Sequence, residues 1–600
     1  MTLALRVWAP NATEVAVIVG QVRSLMRPDD DRPGWFVASA PPHCVDYLIA
    51  VDDVVRPDPL ARWLPEGVHG PSRVYEAGAF AWDDSHWSGR ELAGDSVIYE
   101  LHVGTFTPAG RLDSAADRLE HLVTLGVTHV ELMPLAAFDG VHGWGYDGVA
   151  LNAVHEAYGG PAALHRFVQE AHRAGLAVLL DIVHNHLGPS GNYWDDFGPV
   201  FTDAHHTPWG RALNLDGQGS DDVRAILLSS VAGWIVDFHL DGVRLDAVHE
   251  LHDSRAVPFL EELTASIAVL SAEVGRPLSV IAESDRNDPR TVTTAGDGGL
   301  GMTAQWDDDV HHALHWILTG ERDGYYADFA DAENACRALE RAFLHDGRWS
   351  SFRGRTHGRP VDFSVTPPQR YVASVQTHDQ IGNRARGERL THLVERDRLA
   401  AAAALLMALP YTPMLFMGEE WGASTPWLYF TSFDEDLGAA VTAGRREEFA
   451  THGWPEGYIP DPQDPATVRA SVLDWGELDA PDPARLRDWY SELISWHRFD
   501  LPSQPLPQCF WNLHADGRPR WWAISRGRYL AIVNLDAVEI AVTVAAPAKT
   551  LAVRASWSRD WSIRAVGDDV SVVTIDRGGS VILDAENIVV EWRVSPTASR

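Results

Sequence analysis

The chain has 600 residues, and its 49 Lys and Arg against 84 Asp and Glu give a formal net charge of −35 at pH 7. This acidity argues against nucleic acid and against anionic membranes as partners, because phosphate groups are bound by basic patches. Hydrophobic residues make up 45% and charged residues 22% of the chain, which is an ordinary balance for a globular protein of two to four domains.

Cysteine usage and apolar stretches indicate a compartment. Cys44, Cys336 and Cys509 are widely spaced and form no C-x-x-C pair, so the sequence predicts no disulfide framework and a reducing, cytoplasmic location. The N-terminus alternates like a strand and has no signal-peptide pattern. The most apolar stretch, 400–417, is broken by two prolines, which favours a buried helix and strand over a membrane span.

The first part of the chain, residues 1–90, consists of short alternating runs punctuated by turn residues such as Pro10-Asn11 and Pro33-Gly34. This pattern predicts an N-terminal β-sandwich. Residues 83–95 are rich in small and polar residues, and we interpret them as a linker.

Residues 95–495 change to a rhythm of strand, loop and helix, which is typical of an α/β protein with a (β/α)8 TIM barrel. The predicted strands are 96–103, 127–132, 176–183, 242–245, 278–282, 302–305, 371–376 and 414–417, with helices near 115–125, 161–174, 222–238 and 257–272. Two segments, 320–370 and 424–475, are rich in Gly, Asp, Arg and Trp, and we predict that they are long loops.

Residues 500–600 return to short alternating runs, among them 529–533, 540–544, 581–583 and 588–592. The pattern predicts a C-terminal β-sandwich.

Three acids, Asp246, Glu283 and Asp379, each close a short apolar run in the barrel region. If these runs are parallel strands, the three side chains converge at one rim of the barrel. Three converging carboxylates suit cleavage of a glycosidic bond, in which one attacks, one donates a proton and one steadies the sugar.

The neighbours of these acids indicate separate roles. Arg244 lies two residues before Asp246 on the same strand face, and a cation there keeps the carboxylate ionised, as a nucleophile requires. The apolar run before Glu283 predicts an apolar setting in which the carboxyl group holds its proton. The structural alternatives are a self-satisfied Arg-Asp pair, a helix cap or salt bridge at Glu283, and an Asx turn at Asp379.

The segment Asp181-Ile-Val-His-Asn-His186 also ends a strand. His184 and His186 share a face, which is a pattern that zinc sites use, but no further ligand set with clear spacing accompanies them. We therefore interpret Asp181, Asn185 and His186 as groups that orient other side chains or a sugar. No metal is therefore predicted. Gly296–Gly301 lacks P-loop spacing, so no nucleotide cofactor is predicted.

The strongest sequence signal is a set of four motifs in chain order that resembles the α-amylase superfamily of retaining glycoside hydrolases: Asp181–His186, Gly242–Asp246, Glu283 and His378-Asp379. Longer stretches are similar to the malto-oligosyltrehalose trehalohydrolase family: Asp246–Glu250, Ala282–Arg290, His378–Arg389, Trp427–Ser432 and Ile459–Pro465. The resemblance covers nearly the whole chain.

This resemblance implies hydrolysis of the α-1,4-glucosidic bond next to the terminal trehalose unit of malto-oligosyltrehalose. Trehalose and a malto-oligosaccharide are the implied products, and a double displacement with retention is the implied mechanism. Asp246 is the implied nucleophile, Glu283 the general acid/base and Asp379 the transition-state stabiliser. This chemistry uses no cofactor. The implied substrate-binding residues are Tyr146, Asp147, His186, Arg244, His249, Glu250, His378 and Arg384.

Other functions stay open at this point. A glycogen branching or debranching enzyme shares the same three-domain plan, and a metal-dependent hydrolase or a non-catalytic glucan-binding protein are more distant alternatives. A malto-oligosyltrehalose synthase is the expected pathway partner. We expect the N-terminal domain to pack on the barrel, because residues 1–90 contain no compact aromatic platform.

Overall fold

Eight parallel strands close into a barrel at the centre of the computed structural model, which describes residues 4–451, 459–585 and 592–596. The strands follow each other around the barrel in chain order, as the predicted (β/α)8 fold requires. They are Ile98–Leu101, His129–Leu132, Ala177–Ile182, Gly242–Leu245, Ser279–Ala282, Ala304–Trp306, Tyr371–Ser374 and Thr412–Phe416. Every residue of these strands is buried, which explains why they read as continuous apolar runs.

The helices cover the outside of the barrel and extend its loops. They are Val103–Phe106, Leu112–Ala116, Leu119–Leu125, Gly160–Arg173, Ser220–Phe238, Phe259–Val274, Asp308–Thr319, Ala332–Arg341, His378–Gly382, Leu390–Leu393, Arg396–Ala408, Glu435–Thr451, Pro465–Ala470 and Pro481–Asp500. Their ends carry ordinary signals: the Asp307 side chain caps Asp308–Thr319 at its start, and Gly320 with φ +78° ends it. The apolar stretch 400–417 is a buried helix end followed by a barrel strand, as predicted.

Two predicted loops are wrong in part. Segment 320–370 contains the helix Ala332–Arg341 and a hairpin of Arg348–Ser350 with Arg355–His357. Asp331 caps that helix, which buries one apolar stripe beneath a charged face. Segment 424–475 contains Glu435–Thr451 and Pro465–Ala470. Composition misled the prediction because both segments combine helix-breaking glycines with dense charge, although the apolar residues of Ala332–Arg341 lie on one face.

Two sheets make up each terminal region, as predicted. In the N-terminal region one sheet contains Ala4–Trp8, Arg27–Pro28 and Trp35–Ser39, and the other contains Val15–Val19, Val22–Leu25, Asp46–Val51, Val54–Arg56 and Ser72–Arg73. In the C-terminal region one sheet contains Gln508–Leu513, Pro519–Arg526, Tyr529–Asn534, Leu551–Ser556 and Ser580–Ala585, and the other contains Ile540–Val544, Trp561–Gly567, Val570–Ile575 and Val594–Pro596. Of the strand predicted at 588–592, only Trp592 belongs to the described residues.

The terminal regions pack on the barrel through specific polar contacts. Trp35 Nε1 donates to Asp222 Oδ1 at 2.7 Å on the N-terminal side. Trp557 Nε1 donates to Asp397 Oδ1 at 2.8 Å on the C-terminal side. In the segment interpreted as a linker, Leu92 is buried against residues of the barrel strands, so this irregular stretch is anchored to the barrel at Leu92. Within the described ranges, no helix combines the length and apolar character needed to cross a bilayer.

Candidate active site

The three predicted acids meet at the carboxyl end of the barrel. Asp246 and Glu283 directly follow adjacent strands, and the backbone N–H of Glu283 still donates to Leu245 O at 3.0 Å. Asp379 lies in the first turn of the short helix His378–Gly382, which Thr377 caps. Parallel strands thus bring residues from distant parts of the chain to one rim.

Arg244 links two of these acids through one guanidinium group. Its Nη2 donates to Glu283 Oε2 at 2.8 Å, and its Nη1 donates to Asp246 Oδ1 at 3.1 Å and to Asp181 Oδ2 at 2.6 Å. The side chain is 1% exposed and lies over the Trp306 ring, with 4.2 Å from Cζ to the ring centroid. Three carboxylates around a buried cation hold the pKa of Arg244 well above its ordinary value, although burial by itself lowers it.

Asp246 is held from a second side by Asn185. The Asn185 Nδ2 donates to Asp246 Oδ2 at 2.7 Å and to the Asp246 carbonyl at 2.8 Å. The next residue, Ala247, has φ +38°, a left-handed conformation that a residue with a side chain rarely adopts. Backbone strain of this kind accumulates at functional sites, where the surrounding structure enforces it.

Glu283 lies in a polar setting, so the predicted apolar setting is wrong. Its Oε2 accepts hydrogen bonds from Arg244 and from the Ala247 N–H, the latter at 2.8 Å. The apolar run before it belongs to the barrel wall, whereas the carboxyl group projects beyond the end of the strand. Its other oxygen, Oε1, makes no hydrogen bond to the described part of the chain and is free to face a ligand.

Asp379 and His378 form the third part of the rim. The Asp379 Oδ1 accepts from Asn383 Nδ2 at 2.9 Å. Burial raises the pKa of Asp379, the His378 ring lowers it, and the negative charge of Glu283 raises it again.

His378 is fixed by a buried acid that the sequence prediction missed, Glu100. Its ring Nδ1 lies 2.5 Å from Glu100 Oε1, and its backbone N–H donates to Glu100 Oε2 at 3.0 Å. Burial lowers the pKa of His378, but the Glu100 carboxylate outweighs burial and raises it to about 9. The signal in the sequence was an acid inside an otherwise apolar strand, Ile98–Leu101.

Tyr146 and Asp181 complete the floor of the site. The Tyr146 hydroxyl donates to Asp181 Oδ2 at 2.5 Å, and its ring stacks on His378 with centroids 5.1 Å apart. Burial raises the pKa of Asp181 to about 7, although Arg244 lowers it. Asp147 is partly buried beside Tyr146, and burial raises its pKa to about 6.

His186 contacts two residues of the site, Asn185 and Tyr146. Its Nδ1 bonds the Asn185 side chain, its Nε2 bonds the Tyr146 carbonyl at 3.0 Å, and its ring stacks on Trp209. Burial lowers the pKa of His186 and of His184 to about 4. Among the described residues, neither histidine belongs to a cluster of three potential metal ligands.

Three other predicted substrate-binding residues make their polar contacts with residues other than the three carboxylates. His249 and Glu250 occupy the short turn after Asp246, where His249 Nδ1 accepts from the Asp285 N–H at 3.3 Å and Glu250 Oε2 lies 3.4 Å from His252. Arg384 pairs with Glu321 through two bonds of 2.9 and 3.0 Å. Within the described part of the chain, no hydrogen bond or ion pair joins these side chains to Asp246, Glu283 or Asp379.

A fourth acid at the rim, Asp308, was also missed. Burial, together with the charges of Glu283 and Asp379, raises its pKa to about 7. Its Oδ1 accepts from Gln380 Nε2 at 3.2 Å. Asp308 is the middle residue of three consecutive acids after the strand Ala304–Trp306, a position that corresponds to those of the other acids.

The barrel, its rim carboxylates and a match of residues 80–202 to the model of the α-amylase catalytic domain define a glycoside hydrolase of the α-amylase type. A solved structure of a putative α-amylase from Salmonella typhimurium superposes with a TM-score of 0.85 at 33% identity, and the match covers 97% of each chain. A pullulanase from Anoxybacillus sp. in complex with maltotetraose gives a TM-score of 0.67 at 17% identity, a likeness of fold, over 97% of this chain and 86% of its own.

Comparison with curated relatives identifies a family within the α-amylase-type glycoside hydrolases. A malto-oligosyltrehalose trehalohydrolase from Arthrobacter ramosus is 52% identical over 88% of this chain and 92% of its own. The enzyme of that name from Mycobacterium tuberculosis is 47% identical over 90% and 93% of the two chains. The one from Saccharolobus solfataricus is 43% identical over 79% and 82%. The chain belongs to the malto-oligosyltrehalose trehalohydrolases.

Proposed function

We propose that this enzyme hydrolyses the α-1,4-glucosidic bond adjacent to the terminal trehalose unit of malto-oligosyltrehalose, releasing trehalose and a malto-oligosaccharide. Membership of the family supports the substrate. The observation that carries the chemistry is the shared guanidinium of Arg244, which bonds Asp246 and Glu283 at the same rim. Two carboxylates flanking one bond are the apparatus of a retaining glycosidase.

In the first step, Asp246 attacks the anomeric carbon while Glu283 protonates the leaving oxygen. Arg244 and Asn185 hold the attacking carboxylate, so that it reaches the sugar without reorganisation. Glu283 Oε1 is the oxygen available to carry the proton, since Oε2 already accepts two hydrogen bonds.

In the second step, Glu283 takes a proton from water, which attacks the anomeric carbon from the face that the leaving group vacated. The bond to Asp246 breaks, and the configuration is retained. Asp379 and the positively charged His378 are placed to grip sugar hydroxyls around the oxocarbenium-like transition state. The high pKa of His378 keeps its ring a donor at neutral pH.

Further sugar contacts are assigned to Tyr146, Asp147 and His186, which border the same floor. His249, Glu250 and Arg384 are proposed to contact more distant sugar units of the substrate, since their polar partners are not the rim acids.

A branching or debranching activity is the weaker candidate. A 1,4-α-glucan branching enzyme from Xanthomonas campestris is 29% identical over 72% of this chain and 62% of its own, below the 43–52% of the trehalohydrolases named above. We propose further that a malto-oligosyltrehalose synthase supplies the substrate and that the enzyme works in the cytoplasm. The three free thiols, Cys44, Cys336 and Cys509, support a reducing compartment.

The test is product analysis over time on malto-oligosyltrehalose, with an equally long malto-oligosaccharide as the matched control. We expect trehalose and the shortened chain to appear in equal amounts, with the new reducing end first in the α configuration. The control substrate reacts much more slowly. Formation of α-1,6 branches, or equal rates on both substrates, would reject the assignment.

A further inference from the structure

Cys336, Glu340 and Cys509 bring two sulfur atoms and a carboxylate together where the barrel meets the C-terminal sheets. Cys336 and Glu340 are one helical turn apart on Ala332–Arg341, so their side chains share a face. Cys509 is the second residue of the edge strand Gln508–Leu513. One sulfur or carboxylate oxygen of each residue lies within 4.8 Å of the other two.

The fold holds these three groups in place. The Cys509 backbone N–H donates to Glu340 Oε1 at 2.7 Å, which satisfies a donor that an edge strand otherwise leaves unpaired. Each cysteine is 8% exposed, and Glu340 is only partly buried, so the cluster is accessible from the carboxylate side. Both sulfurs are free thiols in the structure.

A fourth group, Trp522, borders the cluster beside Cys509. Its ring is fully buried, and its Nε1–H makes no hydrogen bond of normal geometry within the described part of the chain. The indole N–H lies next to the Cys509 sulfur, so it is a donor that a metal-bound thiolate can accept from. A cation that binds here displaces the thiol protons, because the thiolate is the form of cysteine that binds metals.

We propose that Cys336, Cys509 and Glu340 bind one thiophilic divalent cation, with Zn²⁺ as the physiological candidate. Two thiolates and one carboxylate select zinc or cadmium over Mg²⁺ and Ca²⁺, which take oxygen ligands. Tetrahedral zinc with Zn–S distances of about 2.3 Å places two sulfurs about 3.8 Å apart, which is compatible with ligand atoms that all lie within 4.8 Å of one another. The three residues leave the fourth position of a tetrahedral zinc for a solvent ligand.

The cation ties a barrel helix to an edge strand of the C-terminal sheet. None of its three ligands hydrogen bonds to Asp246, Glu283 or Asp379. We therefore expect the metal to raise the unfolding temperature by mass action on the folded state and to leave kcat unchanged.

The experiment is a Cd²⁺ titration of the full-length, reduced and metal-free protein, followed by thiolate-to-cadmium charge-transfer absorption and by thermal unfolding with Zn²⁺. We expect saturation at one equivalent of Cd²⁺, reversal of the band by Zn²⁺, and a higher unfolding temperature. Cys336→Ser and Cys509→Ser each abolish the band. Glu340→Gln keeps both thiolates and weakens the affinity by more than about tenfold, since even supporting residues of metal sites contribute that much.

Cys44→Ser is the matched control, because Cys44 is exposed and lies outside the cluster, and it should behave like wild type. A band that survives in either Cys336→Ser or Cys509→Ser, or that disappears in Cys44→Ser, overturns the proposal. So does a wild-type protein that takes up no metal. A mass two hydrogens lower after exposure to peroxide, with no metal uptake by the reduced protein, would identify a disulfide site instead.

Discussion

Arg244 donates from Nη2 to Glu283 Oε2 at 2.8 Å, and the other arm of the same guanidinium donates to Asp246 Oδ1 at 3.1 Å. One rigid, planar cation therefore sets the spacing of the two carboxylates to which we assign attack and protonation. Arg244 donates a further hydrogen bond to Asp181 at 2.6 Å. The three carboxylates balance the positive charge of Arg244, whose side chain is only 1% exposed to solvent. Preorganisation of this kind places both groups before the substrate arrives.

The first prediction concerns Arg244→Lys. Lysine keeps the charge but lacks the planar fork, so it cannot bond Asp246 and Glu283 at once. We expect kcat to fall by about 10²-fold, because catalytic groups that are slightly misplaced lose about that much rate. We expect the free energy of unfolding to fall by about 3 kcal/mol, because the buried carboxylates lose an ion-pair partner. Steady-state kinetics and denaturant unfolding measure the two effects.

Arg255→Lys is the control for that substitution, because Arg255 pairs with Asp221 at an exposed surface position. We expect neither kinetics nor stability to change in it. A fully active Arg244→Lys variant would show that the shared guanidinium does not position the two acids.

The second prediction separates the roles of Asp246 and Glu283. Glu283→Gln should fold normally and lose about 10²- to 10⁴-fold in rate, the range that a general acid contributes. Alanine variants assayed with azide and a substrate with an activated leaving group distinguish the roles by stereochemistry. Glu283→Ala should give an α-glycosyl azide, because azide attacks the covalent intermediate, whereas Asp246→Ala should give the β anomer, because azide replaces the nucleophile. The opposite anomers would exchange the two assignments.

The barrel was predictable because its strands are buried on both faces and separated by helices. Gly242–Leu245 has the bounds that its apolar run predicts, and the other barrel strands differ by a few residues at their ends. The convergence of Asp246, Glu283 and Asp379 followed from the same pattern, since residues after parallel strands share one rim.

Side-chain partners were not predictable, because they depend on contacts across the barrel. Glu100 and His378 are 278 residues apart in the chain, and no local pattern pairs them. Glu283 follows an apolar run, yet its carboxyl group lies outside the barrel wall against Arg244. Arg384 lies five residues after Asp379 in the sequence, but its guanidinium group pairs with Glu321.

The third prediction is a pH dependence of stability from His378 and Glu100. The pKa of His378 rises from 6.5 to about 9 on folding, so the pair stabilises the protein fully below about pH 6.5 and loses this contribution as the pH rises through 9. Glu100→Gln removes the interaction. We expect the difference in unfolding free energy between wild type and variant to be largest near pH 6 and to shrink by roughly 3 kcal/mol by pH 10.

Thermal or denaturant unfolding between pH 6 and 10 measures that difference. Glu170→Gln is the control, because Glu170 forms an exposed pair with Arg173 and should give a small difference that hardly varies with pH. A Glu100→Gln difference that is equally flat would exclude His378 as the titrating group.

The fourth prediction concerns Asp308, whose pKa is raised by burial and by the charges of Glu283 and Asp379 from 3.8 to about 7. An acid with a raised pKa destabilises the folded state once it ionises, so its contribution is favourable below about pH 4 and is lost as the pH rises through 7. Asp308→Asn should therefore be more stable than wild type above pH 7, by about 1–4 kcal/mol, and equal to it near pH 4.

Removing this negative charge also weakens the hold of the remaining rim carboxyls on their protons. We expect the alkaline limb of the kcat/KM profile to move to lower pH, whereas Asp203→Asn, at a side chain that is 91% exposed, leaves the profile in place. An unmoved limb in Asp308→Asn would separate Asp308 from the proton chemistry of the site, even if the gain in stability were found.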